Sequence, residues 1–230
     1  MDRPRQTLLI DADDTLWENN IHFERAIEEF LDFLDHAQLS RGEVRAVLNE
    51  FEHATTRLHG YGAAAFTRTL RACYEHLRGG EIDPDDLRTV MGFGERILRE
   101  EIELLPDVEW TLRALAERHE LTLFTKGHLE EQRLKIERSG IGHHFAHHEI
   151  VAEKDAAAYH TLVARLGADP ARTWMIGNSP KSDINPALAA GLGAVFIPHS
   201  RTWALELAEL DRSAERLLVV ERFSDLRNHF

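Results

Sequence analysis

The run Thr7-Leu8-Leu9-Ile10 meets three acids, Asp11, Asp13 and Asp14, within the next four positions. Three consecutive apolar residues suit a strand covered on both faces, as in a parallel sheet held between helices. The same kind of run returns after Pro106. "ELTLFTKG", "HEIVAEK", "TWMIGNS" and "AVFIPHS" alternate with helical segments near 107–118, 128–139, 155–166 and 183–191. Such alternation builds βα units around a parallel sheet. "RLLVV" and a short helix around "FSDLRNHF" complete the pattern.

The first run is separated from the others by a helical block, from about residue 20 to 104. Phe23, Ala26, Ile27, Phe30, Leu31 and Leu34 keep helical spacing. Ser40 with Glu43 forms a capping box for a second helix. "HGYG" at 59–62 interrupts it, a third helix carries Phe66, Leu70, Tyr74 and Leu77, and Asp83-Pro84 opens a fourth. The expected fold is α/β: a doubly wound parallel sheet from residues 1–17 and 105–230, with an α-helical cap, 18–104, inserted after the first strand.

Composition narrows the class of function. A net charge of −13 leaves no basic surplus for a nucleic-acid backbone. Cys73 is the sole cysteine, so no intrachain disulfide can form. No apolar run is long enough for a membrane span, and the polar opening "MDRPRQ" does not read as a signal peptide. The expectation is a cytoplasmic protein, monomer or homodimer, without nucleic-acid or membrane partners.

Open α/β sheets bind ligands beyond the carboxyl ends of their strands. There the chain places Asp11, Asp13, Asp14 and Thr15, then Thr125, Lys126 and Gly127, then Lys154, then Asn178 and Ser179 with Asp183 a few positions on. Only four of the 27 basic residues are lysines, and three of those, Lys126, Lys154 and Lys181, fall in these segments. A carboxylate there can attack phosphorus and become an aspartyl-phosphate. A second, two residues on, can protonate the leaving oxygen and then activate water. Mg²⁺ takes oxygen ligands, and a hydroxyl and an ammonium can hold the phosphoryl oxygens.

These segments resemble the haloacid dehalogenase superfamily, and within it the capped phosphatases. Asp11, Asp13 and Thr15 match the first motif, an apolar strand ending Asp-x-Asp-x-Thr. Thr125 matches the second, Lys154 with Tyr159 the third, and "GNSPKSD" the fourth, an acidic loop. The resemblance implies Asp11 as nucleophile, Asp13 as general acid and base, and Thr125 and Lys154 as phosphoryl-binding residues. It also implies a Mg²⁺ ion held by the Asp11 carboxylate, the Asp13 backbone carbonyl and an acid of the fourth motif. Thr15, Lys126 and Gly127, with Trp17 and Tyr61 from the flap and the cap, are candidate substrate contacts. Glu18, Arg57, His59 and Arg68 share that reading, with ordinary surface or packing roles as the alternative.

Two positions depart from the pattern. Asp14 stands where these phosphatases usually have glycine, so the turn is open to change. Gly177-Asn178 stands in place of Gly-Asp, which makes Asp183 the main acidic ligand of that loop and Asn178 a weaker one. The function expected is Mg²⁺-dependent hydrolysis of a small phosphomonoester. A 2-haloacid dehalogenase would use the same Asp11 on carbon but needs neither metal nor second acid. A phosphosugar mutase would pass the phosphoryl group to a sugar, and a catalytically weak phospho-ligand-binding protein would only hold it. A signalling receiver is uncapped and carries its acidic pair apart from the phosphorylated aspartate. The histidines His143, His144, His147 and His148 raise a zinc reading, weakened because alternate residues of a strand point opposite ways.

Overall fold

The computed structural model describes residues 4–34 and 39–230, so the first three residues of "MDRPRQ" lie outside the described range. The chain divides into two compact units, Met1–Asn20 with Ile102–Phe230, and Ile21–Glu101.

The first unit opens with β1 (Thr7–Ile10). The helical unit follows: α1 (Asn20–Leu34), α2 (Arg41–His59), α3 (Ala63–Arg78) and α4 (Pro84–Glu95). The Ser40–Glu43 capping box is formed in both directions, with the Ser40 amide 2.8 Å from Glu43 Oε2. Asp83 caps α4 through the Asp85 amide at 2.7 Å, with Pro84 in the first turn, where its missing N–H costs nothing. Phe30, Leu48, Leu70, Cys73, Tyr74 and Val90 give this unit a core of its own.

The first unit continues with α5 (Val108–Ala116), β2 (Glu120–Lys126), α6 (Leu129–Ser139), β3 (His147–Val151), α7 (Ala156–Leu166) and β4 (Thr173–Gly177). It ends with α8 (Asn185–Ala189), β5 (Gly193–Phe196), β6 (Leu217–Val219) and a 3₁₀ turn, Phe223–Asn228. Among the described residues the six strands are all parallel, in the order β3-β2-β1-β4-β5-β6. The β1 strand is interior, with Ile10 level with Leu123 of β2 and Ile176 of β4. Leu8 and Ile10 face one side, against Val108, Leu112 and Leu115 of α5. Leu9 faces the other, among Phe124, Tyr159, Leu162 and Ala187. Both faces are therefore dry, which is what three successive apolar residues require. Burying each such side chain contributes roughly 1.5–3 kcal/mol.

This strand order reverses direction between β1 and β4, and the ends of β1, β2 and β4 open onto that crevice. One element differs from expectation. The helix read near 183–191 is α8 preceded by a wide turn, Pro180–Ile184, in which the Ile184 amide reaches the Ser179 carbonyl at 3.1 Å. The wide turn brings the Asp183 carboxylate back over the end of β4, where its Oδ2 accepts the Ser179 amide at 2.9 Å.

Candidate active site

Asp11 follows the last residue of β1, and its amide continues the ladder to the Ile176 carbonyl at 2.9 Å. The carboxylate stands at the end of the strand, only 7% exposed. Lys154, buried just beyond β3, donates to Asp11 Oδ1 at 2.5 Å and to Asp183 Oδ1 at 2.7 Å. The Thr15 hydroxyl lies 3.0 Å from Asp11 Oδ2 and 3.2 Å from Asn178 Oδ1. Sequence-distant residues Asp11, Thr15, Lys154, Asn178 and Asp183 thus form one buried cluster. Thr125 stands at the carboxyl end of β2, 1% exposed.

Charge in this cluster is unbalanced, with two carboxylates on one ammonium. Burial and then the Asp183 charge push the Asp11 carboxyl up to about 7, against the pull of Lys154. Burial would lower the Lys154 ammonium, but Asp11 and Asp183 outweigh it and hold the amine protonated. Gly177 leaves room for this arrangement, since a Cβ there would lie 2.3 Å from Asp183 Oδ2. Tyr159, five residues after Lys154, donates its hydroxyl to the Ser182 carbonyl at 2.9 Å and so braces the acidic loop from α7.

Asp13 sits in a separate cradle. Lys135 of α6 lies 2.9 Å from each of its oxygens, Gln132 Nε2 is 2.8 Å from Oδ2, and the Trp17 indole N–H is 2.8 Å from Oδ1. Burial alone would raise the Asp13 carboxyl; the Lys135 charge and these hydrogen bonds overcome it and hold the group below the usual carboxylate range. Gly127 lets Gln132 reach in, because a Cβ there would lie 2.9 Å from Gln132 Nε2.

The remaining expected site residues are placed as follows. Trp17 has no exposed surface and packs in the core, so its part is to orient Asp13 rather than to meet a substrate. Lys126 turns its ammonium to Glu206 Oε1 at 2.5 Å and to the Ser182 hydroxyl at 2.9 Å. Lys181 holds the Leu205 carbonyl at 2.9 Å. Tyr61 belongs to the helical unit, between α2 and α3.

Asp14 does not disturb the turn. It adopts φ +58°, the left-handed conformation that aspartate tolerates better than most side chains. Its carboxylate accepts the Asn19 amide at 2.8 Å and the Asn20 amide at 3.0 Å, so it caps the start of α1. Burial, partly offset by these amides, raises the carboxyl to about 6. Among the described residues, one His/Cys/Asp/Glu group could hold a metal on spacing alone: Asp14, Glu18 and His199, with donor atoms within 4.8 Å of one another. The histidines at 143–148 are not such a group. His143 Nδ1 and His148 Nε2 lie 2.8 and 2.9 Å from the Gly140 and Gly142 carbonyls.

The sequence reading missed Lys135, Gln132 and Glu206. For Lys135 a signal existed, since it is the fourth lysine of an arginine-rich chain. Glu206 carried none, being one acid in a segment without periodicity.

The first βα unit is interrupted, and carboxylates and a lysine from later segments gather at the end of β1. A family model described as haloacid dehalogenase-like hydrolase matches residues 6–191, and the chain belongs to that family. No curated protein matches it. Among solved structures, a haloacid dehalogenase-like family hydrolase from Xanthomonas campestris is 26% identical. It superposes with a TM-score of 0.84, over 99% of this chain and 95% of that one. A 2-haloacid dehalogenase from Pseudomonas syringae pv. Tomato shares the fold at 20% identity and a TM-score of 0.62, covering 97% of each chain. A protein described as a predicted phosphoglycolate phosphatase from Haemophilus somnus does so at 19% and 0.66, covering 98% of this chain and 97% of that one. The fold is thus shared with a protein described as a dehalogenase and with one described as a predicted phosphatase.

Proposed function

We propose that this hydrolase is a Mg²⁺-dependent phosphatase of small phosphomonoesters, with Asp11 as nucleophile. The observation that carries the reading is the carboxylate excess around Asp11: Asp11 and Asp183 share the single ammonium of Lys154. The donors grouped there, the carboxylates of Asp11 and Asp183 and the amide oxygen of Asn178, are all oxygens, the set a hard divalent cation takes. With the Asp13 backbone carbonyl, these are the residues that would hold Mg²⁺. Bound there, the ion would neutralise the surplus charge and polarise the phosphoryl group. Dehalogenation at carbon would use Asp11 without needing Asp183 for a metal or Asp13 for a proton.

An Asp11 oxygen attacks phosphorus, and the bond from phosphorus to the leaving oxygen breaks. Asp13 gives the leaving oxygen its proton, then takes one from the water that hydrolyses the acyl phosphate. Lys135 holds Asp13 ionised, the form suited to the second step, so before the first Asp13 must part from Lys135 and take up a proton from solvent, which it then gives to the leaving oxygen. Lys154 and Thr125 steady the phosphoryl oxygens, and Thr15 keeps Asp11 in line. The setting is cytoplasmic, the partner a small phosphorylated metabolite.

Release of p-nitrophenol from p-nitrophenyl phosphate tests this reading. Activity that requires Mg²⁺ and vanishes in Asp11→Asn is expected. Halide release from 2-chloropropionate without metal, with no phosphatase activity, would overturn it in favour of the dehalogenase.

A further inference from the structure

Glu206 is buried, 8% exposed, in a 3₁₀ turn of the segment between β5 and β6. An ionised carboxylate in such a place is costly unless its oxygens are fully hydrogen-bonded. They are. Oε1 takes the Lys126 ammonium at 2.5 Å, while Oε2 takes the hydroxyls of Ser179 at 2.6 Å and Ser182 at 2.5 Å. The two serines then have their own acceptor sides filled. The Ser182 amide donates to Ser179 Oγ at 2.9 Å, and Lys126 donates to Ser182 Oγ at 2.9 Å. Only an acceptor-only group completes this circuit, which is why the position holds an acid.

What the circuit holds is the loop that carries Asp183. The amide of Ser179 is the donor to Asp183 Oδ2 at 2.9 Å, so one residue joins Glu206 to the metal-site carboxylate. Neighbouring ties run the same way, from Lys181 to the Leu205 carbonyl at 2.9 Å and from Asn178 Nδ2 to Thr202 Oγ1 at 3.4 Å. Four residues of the 178–183 loop therefore reach the 202–206 segment, and two of them meet on Glu206.

We propose that Glu206 is a positioning residue, which fixes the 178–183 loop so that Asp183 and Asn178 face Asp11, and which keeps the Lys126 ammonium out of the metal site. This rests on the Mg²⁺ reading of the Asp11 cluster. Glutamine at 206 can still accept the serine hydroxyls but sets its own N–H₂ against the Lys126 ammonium. Groups that orient metal ligands typically contribute about 10–100-fold in affinity.

The test is calorimetric titration of the metal-free protein with MgCl₂, together with hydrogen exchange over residues 178–183. Glu206→Gln is expected to raise the Mg²⁺ Kd at least about tenfold and to speed exchange in that loop while the rest of the sheet is unchanged. Wild-type affinity and wild-type exchange in Glu206→Gln would overturn the proposal. Should wild type itself bind no Mg²⁺, the metal reading fails, and exchange alone decides whether Glu206 holds the loop. Should Glu206→Gln not fold, Glu206→Asp, which keeps the charge but shortens the reach, is read by the same two criteria.

Discussion

Lys154 and Asp11 stand 2.5 Å apart at the carboxyl end of the interior strand, and the same ammonium lies 2.7 Å from Asp183. All three groups are buried, so water does little to screen them. Burial and the Asp183 charge accordingly raise the Asp11 carboxyl to about 7, so the charge of the cluster depends on pH.

Lys154→Met removes the ammonium that Asp11 and Asp183 share and leaves two facing carboxylates. Breaking a buried ion pair from one side destabilises by roughly 3–5 kcal/mol. Urea denaturation of the metal-free variant is expected to show a loss of that size. Phosphatase activity should fall about 10²–10³-fold even with saturating Mg²⁺, the effect of losing one charge-stabilising donor.

The raised Asp11 carboxyl gives a sign to the pH dependence of stability. Its folded value, about 7, lies above the ordinary 3.8, so between these values the folded state binds more protons than the unfolded one. Its contribution therefore falls as pH rises through that window. Asp14, raised to about 6, acts in the same direction. Melting of metal-free protein should show Asp11→Asn gaining on wild type between pH 5 and pH 8, and added Mg²⁺ should narrow the gap at pH 8. A pH-independent difference would contradict the assignment.

Asn178→Asp adds a carboxylate beside Thr15 and Asp11. It should lower the Mg²⁺ concentration for half-maximal activity by about tenfold, or ~1.4 kcal/mol. Asp183→Asn should raise that concentration far more than Asn178→Ala does. Equal effects of the two deletions on the Mg²⁺ titration would remove Asp183 from the ligand set.

Asp14 combines a left-handed backbone with a helix cap, and the two can be separated. Asp14→Gly loses the cap alone, typically ~1 kcal/mol. Asp14→Ala loses the cap and adds about 1–2 kcal/mol of backbone strain. Chemical denaturation should rank wild type above the glycine variant and that above the alanine variant.

Much of the fold could be read along the chain because its signals are local. Leu8, Leu9 and Ile10 announce a strand covered on both faces, and Ser40 with Glu43 announces the start of α2. The cluster residues Asp11, Lys154 and Asp183 were readable for a related reason: each closes or follows an apolar run, and strand ends converge in an open parallel sheet. The cradle of Asp13 was not. Lys135 and Gln132 reach it from α6, 122 and 119 residues away, and only the rotation of that helix decides which side chains face β1. Glu206 depends on how an irregular segment folds back over the sheet, which leaves no periodic trace. Trp17 was placed at the flap by its position, but the isolated bridges from Trp17 to Asp13 and to Leu104 draw it inward.

Covalent chemistry at Asp11 is detected by peptide mass mapping after an acid quench. Asp13→Asn should be used with p-nitrophenyl phosphate and Mg²⁺. The aryl oxide leaves without a proton, while hydrolysis of the acyl phosphate is slowed for want of its base. A phosphoryl group on Asp11, present only with Mg²⁺, is expected. Substrate turnover with Asp11 unmodified, or an ester at Asp11 formed from a 2-haloacid without metal, would contradict the phosphatase reading.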